Sequence, residues 1–417
     1  MARRAHTASN NRWGGRVPLV PRPAAGFRGA VGIAISDGEQ AAGQMAQKSR
    51  PASSDDEVAR EGNQRACTRV IEAGSCCGPR VTSMIRLLLV VFAAFALACS
   101  VARAAKLDMT TVNQAQFAAG EPKDVDPAVL KAQILLDRAR FSPGLIDGRI
   151  SENFVKAVGA FQTASGLPSD GKLTQETWDK LMATSTNPVL VTYEVTRKDV
   201  RGPFTKRIPS RMEKMARLPR LGYRNAVEKL AERFHISEQL LRRLNPGIGF
   251  RKAGTMLVVP DVGRDGPPAA VASVEVDKGA RLVRVLDPSG KWLAVYPASI
   301  GSEEKPAPSG MAEVKRVVHN PTYHYDPHFA FKGVKTKRPF TIAAGPNNPV
   351  GSIWIDLSIE SYGIHGTPEP GKIGTTFSHG CIRLTNWDAE DLGSMVQQGT
   401  KVSFTEGLAD AGGEGSH

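Results

Sequence analysis

The spacing of apolar residues changes along this 417-residue chain, and that change limits the possible folds more than any other feature. Between residues 126 and 182, apolar side chains recur every three or four positions, which is typical of helices that bury one face. Beyond a Gly- and Pro-containing hinge at 263–271, the period is two, as in strands. The sequence therefore predicts a multidomain α+β protein. Its mainly-β domain, at 272–405, precedes a flexible tail at 406–417.

The positive charge of the chain is unevenly distributed. The formal net charge is +13, but residues 1–104 hold 14 Lys or Arg and only 7 Asp or Glu. Residues 105–417 hold 40 basic and 34 acidic residues, a net charge of +6. An excess of this size suits any anionic partner, including a cell-wall polymer, and does not by itself indicate a nucleic acid. We expect no nucleic-acid partner.

Residues 84–104 have the organisation of a secretory signal peptide. A basic head at Arg86 is followed by an apolar run at 87–98 and by Ala102-Arg103-Ala104, an A-x-A cleavage site. The run is shorter than the about 20 residues that a membrane-spanning helix needs. We expect cleavage after Ala104 and an exported protein of the periplasm or cell envelope with no stable membrane span. Residues 1–83 are expected to be a gene-start artefact or a disordered extension.

Cys381 is the one cysteine of five that remains after this cleavage. A lone cysteine in an exported protein is either a buried bystander or a reactive thiol. A thiol is nucleophilic as the thiolate, its ordinary pKa is about 8.5, and a nearby imidazole can accept its proton. His365, His379 and Cys381 lie within seventeen positions of one another, among glycines that allow close approach. This pattern favours a reactive thiol.

A polar linker is expected at 105–125, and three helices are predicted at 126–185. Turn dipeptides separate the helices, and Ser151 is a candidate cap for the second helix. The segment resembles the three-helix peptidoglycan-binding domain, which implies binding to the cell wall. The alternative is that the matching residues only stabilise a helical bundle. They are Asp147-Gly148, Ala160-Phe161-Gln162, Gly166-Leu167, Asp170-Gly171 and Thr177-Trp178.

Residues 190–262 predict a strand at 193–195, helices at 226–234 and 237–244, and a closing strand at 256–259. The segment resembles a LysM module, a βααβ unit that binds polymers of N-acetylglucosamine. The matching residues are 230–234, 240–244, Asn245-Pro246-Gly247 and 254–260. A long insert after Val195, which includes a basic stretch from Lys198 to Arg224, departs from that compact pattern. A plain linker domain is the alternative.

The motif Ser378-His379-Gly380-Cys381-Ile382-Arg383, preceded by His365, resembles the catalytic domain of L,D-transpeptidases of the YkuD type. The resemblance spans about residues 272–405. The segments 345–351, 362–367 and 320–323 also match, although the family commonly has Trp where Tyr323 stands. The resemblance implies acyl transfer between peptidoglycan stem peptides, which forms 3→3 cross-links through a cysteine thioester. It implies no cofactor, and it implies inhibition by carbapenems.

The resemblance also implies roles for individual residues. Cys381 is the nucleophile and His365 the general base, oriented through its second ring nitrogen by the backbone carbonyl of Gly366. Backbone N–H groups around Gly380 and Cys381 are expected to stabilise the oxyanion. Ser378, His379 and Arg383 are expected to support the site, and Arg383 to pair with a substrate carboxylate.

Several alternatives remain open at this point. His365, His379 and Cys381 are possible zinc ligands without an evident fourth member. The stretch with His319, His324 and His328 is a second possible metal site, although Pro327 argues for a loop there. The same fold also suits a carboxypeptidase-like hydrolase or an enzyme that attaches a protein to peptidoglycan. A non-catalytic wall-binding protein is the alternative from another class.

Overall fold

The computed structural model describes residues 107–407, except 121, 123, 264–269, 302–305, 330–333, 335 and 377–379. The predicted signal peptide, the extension before it, and most of the hinge and the tail lie outside the described residues. Within these ranges, no helix has both the length and the apolar character needed to cross a membrane.

The first unit is helical, and its sequence signals are local. Each of the three predicted helices begins after a side chain that accepts a hydrogen bond from the first turn, which satisfies backbone donors that a helix leaves open. The caps are Asp126, Ser151 and Thr174. Gly148 and Gly171 have φ of 75° and 69°, as the turn dipeptides predict. The helices are α1 (Met109–Asn113), α2 (Pro127–Arg138), α3 (Glu152–Ala164) and α4 (Gln175–Met182).

Helix α1 lies in the segment that was expected to be a polar linker. Its Val112 is fully buried. The Asn113 side chain accepts from the backbone N–H groups of Val189 and Leu190, at 3.0 and 2.8 Å, and donates to the Leu190 carbonyl at 2.9 Å. The linker therefore contains a helix that is tied to the next unit, because one apolar and one amide side chain find partners far away in sequence.

The second unit has the βααβ order that the sequence predicts, interrupted by the insert. Strands β1 (Leu190–Glu194) and β2 (Met256–Pro260) pair antiparallel along their whole length. Helices α7 (Ala226–Arg233) and α8 (Glu238–Leu244) are the two predicted helices. The insert contains two single-turn helices, α5 (Arg197–Val200) and α6 (Met212–Met215).

The third unit is mainly β, as predicted. Nine strands form one sheet in the order β5-β4-β3-β13-β7-β10-β11-β12-β6, and β8 pairs with β9 in a separate hairpin. The strands are β3 (Ser273–Asp277), β4 (Leu282–Leu286), β5 (Trp292–Pro297), β6 (Ser299–Ile300), β7 (Gly310–His319), β8 (Tyr323–Tyr325), β9 (Phe340–Ile342), β10 (Ile353–Leu357), β11 (Gly363–His365), β12 (Ile382–Arg383) and β13 (Lys401–Thr405), and helix α9 spans Asn386–Met395.

At strand β10, the two faces of the large sheet belong to two different apolar clusters. Ile353 and Ile355 of β10 point into the cluster that includes α9. Trp354, between them, belongs to the other cluster, which also contains Tyr323 and Cys381. Alternation along a strand places successive side chains on opposite faces. We call the face that carries Trp354 the site face.

Candidate functional site

His365 ends strand β11 and is fully buried. Its Nδ1 lies 2.7 Å from the backbone carbonyl oxygen of Gly366. A carbonyl oxygen only accepts, so Nδ1 carries the proton and Nε2 is left with its lone pair. Nε2 is buried and has no hydrogen-bond partner in the described part of the chain. The imidazole is thus held in the tautomer of a base with an open acceptor nitrogen.

The environment of His365 keeps the ring neutral. Its pKa is lowered to about 3, chiefly by burial and also by the Arg383 guanidinium, against the opposing effect of the hydrogen bond with the Gly366 carbonyl. Arg383 lies opposite His365 in the register of β11 and β12. At neutral pH, the resting imidazole is therefore uncharged, with its one proton on Nδ1 and with Nε2 able to accept another.

Trp354 fixes the plane of this imidazole. The two residues are directly opposite each other in the antiparallel pair of β10 and β11. Their rings stack with centroids 5.4 Å apart and an interplanar angle of 18°. Sequence reasoning missed Trp354, because its only signal was an aromatic residue in a buried strand whose register was unknown.

Cys381 directly precedes strand β12, which runs parallel to β11 with Ile364 opposite Ile382. Those two isoleucines belong to the cluster on the far face of the sheet. By alternation, His365 and Cys381 both lie on the site face, as diagonal neighbours on adjacent strands. The structure therefore places the two residues that the sequence singled out as base and nucleophile on one face of the sheet, at neighbouring strands.

The thiol of Cys381 is buried, with 2% of the residue exposed. The thiol donates a hydrogen bond to the carbonyl oxygen of Ser361, with Sγ and the oxygen 3.7 Å apart. Gly380 has φ of 107°, and a Cβ there would come within 3.0 Å of the Tyr362 ring. A glycine is therefore required beside the cysteine. Burial raises the pKa of the Tyr362 and Tyr323 hydroxyls, and the nearby Cys381 sulfur raises both pKa values further.

Gly366 packs against a side chain that the sequence did not indicate. Asn386 begins helix α9, and its Oδ1 accepts from the Ser352 N–H at 3.1 Å. A Cβ on Gly366 would lie 2.1 Å from that oxygen. The Nδ2 of Asn386 donates to Glu232 of α7 at 2.8 Å. This contact connects the second unit to the backbone that orients His365.

The other predicted site residues are placed as follows. Arg383 is 4% exposed, and its Nη2 lies 3.5 Å from Thr376 Oγ1. Ser378 and His379 lie outside the described residues. Both ring nitrogens of His324 contact threonine hydroxyls, at 3.0 and 2.8 Å. In the described ranges, no three His, Cys, Asp or Glu side chains cluster as metal ligands.

Two family models match the chain. The model described as "L,D-transpeptidase catalytic domain" matches residues 272–403. The model described as "Putative peptidoglycan binding domain" matches residues 125–181. The matched ranges correspond to the mainly-β unit and to the helical unit.

Among named relatives, "Putative L,D-transpeptidase YkuD" of Bacillus licheniformis is 30% identical over 181 residues, which are 43% of this chain and 93% of the relative. "Probable L,D-transpeptidase YbiS" of Escherichia coli is 29% identical over 191 residues, 44% of this chain and 61% of the relative. A solved structure of L,D-transpeptidase 3 from Mycobacterium tuberculosis with a faropenem-derived adduct is 19% identical, with a TM-score of 0.27, and covers 37% of this chain and 75% of that one. The match to nearly the whole length of the Bacillus licheniformis protein shows that this chain belongs to the L,D-transpeptidase family.

Proposed function

We propose that this chain forms 3→3 cross-links in peptidoglycan through a thioester on Cys381, with His365 as the general base. One observation carries the proposal: a buried imidazole has one nitrogen bound to a carbonyl and the other open, on the sheet face that also carries the thiol. A nucleophile needs such a base when its own proton must leave.

In the acylation step, Nε2 of His365 takes the proton from Sγ of Cys381 while the sulfur attacks the carbonyl carbon of the third stem residue. Because the resting imidazole is neutral, the transfer accompanies the attack. The C–S bond forms, the carbonyl π electrons move to oxygen, and the tetrahedral intermediate then expels the amine of the terminal D-alanine. That amine takes the proton from His365, and the thioester remains.

In the second step, the side-chain amine of a diamino acid on a neighbouring stem attacks the thioester. His365 accepts a proton from this amine and returns it to the departing sulfur of Cys381. One peptide bond is broken and one is formed, so the exchange needs no cofactor and no external energy. Backbone N–H groups of Gly380 and Cys381 are proposed to stabilise the oxyanion, each by about 3 kcal/mol.

The two N-terminal units are proposed to hold the polymer. Binding to the wall raises the effective concentration of stems at Cys381 without any new catalytic contact. Ser378, His379 and Arg383 are proposed to support the site. Export through the segment at 84–104 to the periplasm or cell envelope is part of the same proposal, since the substrate is found there.

The test combines a covalent label with product analysis. After incubation with a carbapenem, intact-mass measurement should show one adduct on the wild-type chain and none on Cys381→Ala. With disaccharide-tetrapeptide, the wild type should form cross-linked dimers that Cys381→Ala does not form. His324→Gln, which alters an exposed histidine of the β8–β9 hairpin, is the matched control and should keep both activities. Turnover by Cys381→Ala would overturn the proposal.

Product mass separates the alternatives within the fold. A trimmed stem without a dimer would indicate that water is the acceptor, as in a carboxypeptidase. A conjugate with a protein amine would indicate an attachment enzyme. A chain with no adduct and no product would be a non-catalytic wall-binding protein.

A further inference from the structure

The insert in the second unit carries the positive charge of the exported part of the chain. We call residues 197–224 the basic insert. It has ten basic and two acidic residues, a net charge of +8, whereas residues 105–417 as a whole have a net charge of +6. The rest of residues 105–417 therefore has a net charge of 6 − 8 = −2. The basic residues are Arg197, Lys198, Arg201, Lys206, Arg207, Arg211, Lys214, Arg217, Arg220 and Arg224.

These cations are available to a partner. All ten residues are exposed. Among the described residues, only Arg211 and Arg224 form ion pairs with carboxylates, at 3.6 Å to Glu213 and at 2.9 Å to Glu228. Eight unpaired cations on 28 residues repel one another, and an anionic ligand within about one Debye length, about 8 Å at physiological salt, relieves that repulsion.

The buried side chains of the basic insert pack on the site face. Met212 and Leu221 are buried in the apolar cluster that contains Cys381 and Trp354. The backbone of Leu221 donates to the Ala344 carbonyl at 3.0 Å and accepts from the Asn347 N–H at 2.9 Å. The insert is therefore a fixed part of the catalytic unit's surroundings.

The contact with the catalytic unit also depends on a glycine. A Cβ on Gly345 would lie 2.2 Å from the Leu221 carbonyl. No side chain fits between the two segments, so the backbones approach closely. This close approach fixes the basic insert against residues 344–347 of the catalytic unit.

We propose that the basic insert binds the free carboxylates of peptidoglycan stem peptides and holds the polymer beside Cys381. The inference deepens the proposed function and rests on it. A stem peptide ends in a free carboxylate, and a polymer that displays many stems is a polyanion. Guanidinium groups bind carboxylates with paired, charge-assisted hydrogen bonds, and eight of the ten cations lack such a partner in the described structure.

Two other anionic partners fit the basic insert less well. Single-stranded nucleic acids need aromatic side chains for stacking, and the insert has only Phe204 and Tyr223. A membrane surface needs an amphipathic helix with a free apolar face. The helices of the insert have four residues each, and Met212 faces the catalytic unit.

The test uses the full chain with Cys381→Ala, so that binding is measured without turnover. In that background, Lys206→Gln/Arg207→Gln/Arg217→Gln removes three cations of the insert. Lys291→Gln/Lys315→Gln/Lys401→Gln removes three exposed cations elsewhere on the third unit. Both proteins keep the first, helical unit, so its contribution to binding cancels. Co-sedimentation with purified peptidoglycan is measured at low salt and at about 0.5 M NaCl.

We expect the insert variant to bind about fivefold more weakly at low salt, and the control variant to bind as its parent does. The difference should vanish at high salt and with peptidoglycan whose carboxylates have been amidated. Equal binding of the two variants would overturn the inference. So would undiminished binding to amidated peptidoglycan, or equal salt-sensitive binding to vesicles of anionic lipid.

Carbapenem labelling of the wild-type chain separates the two proposals. If Cys381 is labelled while the insert variant binds normally, the insert inference is wrong and the proposed catalysis stands. If labelling fails while the insert variant loses binding, the insert binds stems and the proposed catalysis is wrong.

Discussion

The imidazole of His365 lies almost parallel to the indole of Trp354, with ring centroids 5.4 Å apart. Trp354 is 1% exposed, so its ring cannot turn without displacing the cluster around it. Together with the Gly366 carbonyl at Nδ1, the indole leaves the imidazole one orientation. The direction in which Nε2 points is therefore set by packing on one side and by a hydrogen bond on the other.

Replacing Trp354 should slow the acylation of Cys381 by more than the accompanying loss of stability explains. Trp354→Phe keeps an aromatic surface under the imidazole, whereas Trp354→Leu removes it. Both should lose about 2–4 kcal/mol of the free energy of unfolding. We expect acylation by a carbapenem to slow about tenfold or more in the leucine variant and less in the phenylalanine variant.

Trp387→Leu is the matched control for this prediction. Trp387 lies on helix α9 and stacks on His235, which follows α7, with centroids 5.1 Å apart. It should lose comparable stability and keep the acylation rate, measured by stopped-flow or timed intact mass. An acylation rate in Trp354→Leu equal to that of Trp387→Leu would contradict the positioning role.

His365 should make the protein less stable in acid. Its folded pKa is about 3, below its ordinary value of 6.5. Between these pH values the unfolded chain binds a proton that the folded chain does not, so stability falls as the pH drops from about 6.5 towards 3. The contribution is about 1.4 kcal/mol per pH unit. The free energy of unfolding, measured with urea at several pH values between 4 and 6, should change less with pH in His365→Gln than in the wild type. An equal pH dependence in the two proteins would contradict the lowered pKa of His365.

Glu232 should make the protein less stable as the pH rises, which is the opposite of the effect of His365. Burial raises the pKa of this carboxyl from 4.5 to about 8, although Asn386 and Tyr223 donate hydrogen bonds to it. Between these values the folded chain keeps a proton that the unfolded chain has lost. Its stabilising contribution is full below about pH 4.5 and disappears as the pH rises through 8.

Glu232→Gln keeps an acceptor oxygen for Asn386 and cannot titrate. We expect its stability to fall less between pH 5 and 8 than that of the wild type, with the two curves diverging by about 1.4 kcal/mol per pH unit. Chemical denaturation across that range measures the difference. If both proteins lose stability in parallel, the carboxyl is ionised in the fold and the assignment is wrong.

Gly366→Ala should damage the site through crowding. The added Cβ would meet Asn386 Oδ1 at 2.1 Å, so either the asparagine or the carbonyl that binds His365 must move. We expect a loss of about 1–3 kcal/mol of stability and acylation about 100-fold slower. Gly249→Ala, at a position with nothing within 4 Å of the new Cβ, is the control and should affect neither. Crystallography or thiol labelling that shows an intact site in Gly366→Ala would refute the argument.

Local sequence alone determined much of this protein. Caps such as Ser151 and turn glycines such as Gly148 define the helices of the first unit, because their hydrogen bonds and φ angles involve only neighbouring residues. The change of apolar period predicted the mainly-β unit, because alternation is a property of a single strand. The Ser-His-Gly-Cys motif and His365 indicated the chemistry, because thiol nucleophiles need a base within a short distance.

Tertiary structure decided the rest. Trp354 is opposite His365, and Asn386 supports Gly366, only because a particular strand register and helix packing bring distant segments together. The same holds for helix α1, whose Asn113 finds its partners in β1. The basic insert is a charged run in the sequence, but its packing on the site face depends on the burial of Leu221 in the apolar cluster that also contains Cys381. Pairings of this kind are set by long-range packing, and a period or a motif contains no information about which distant residue will be the partner.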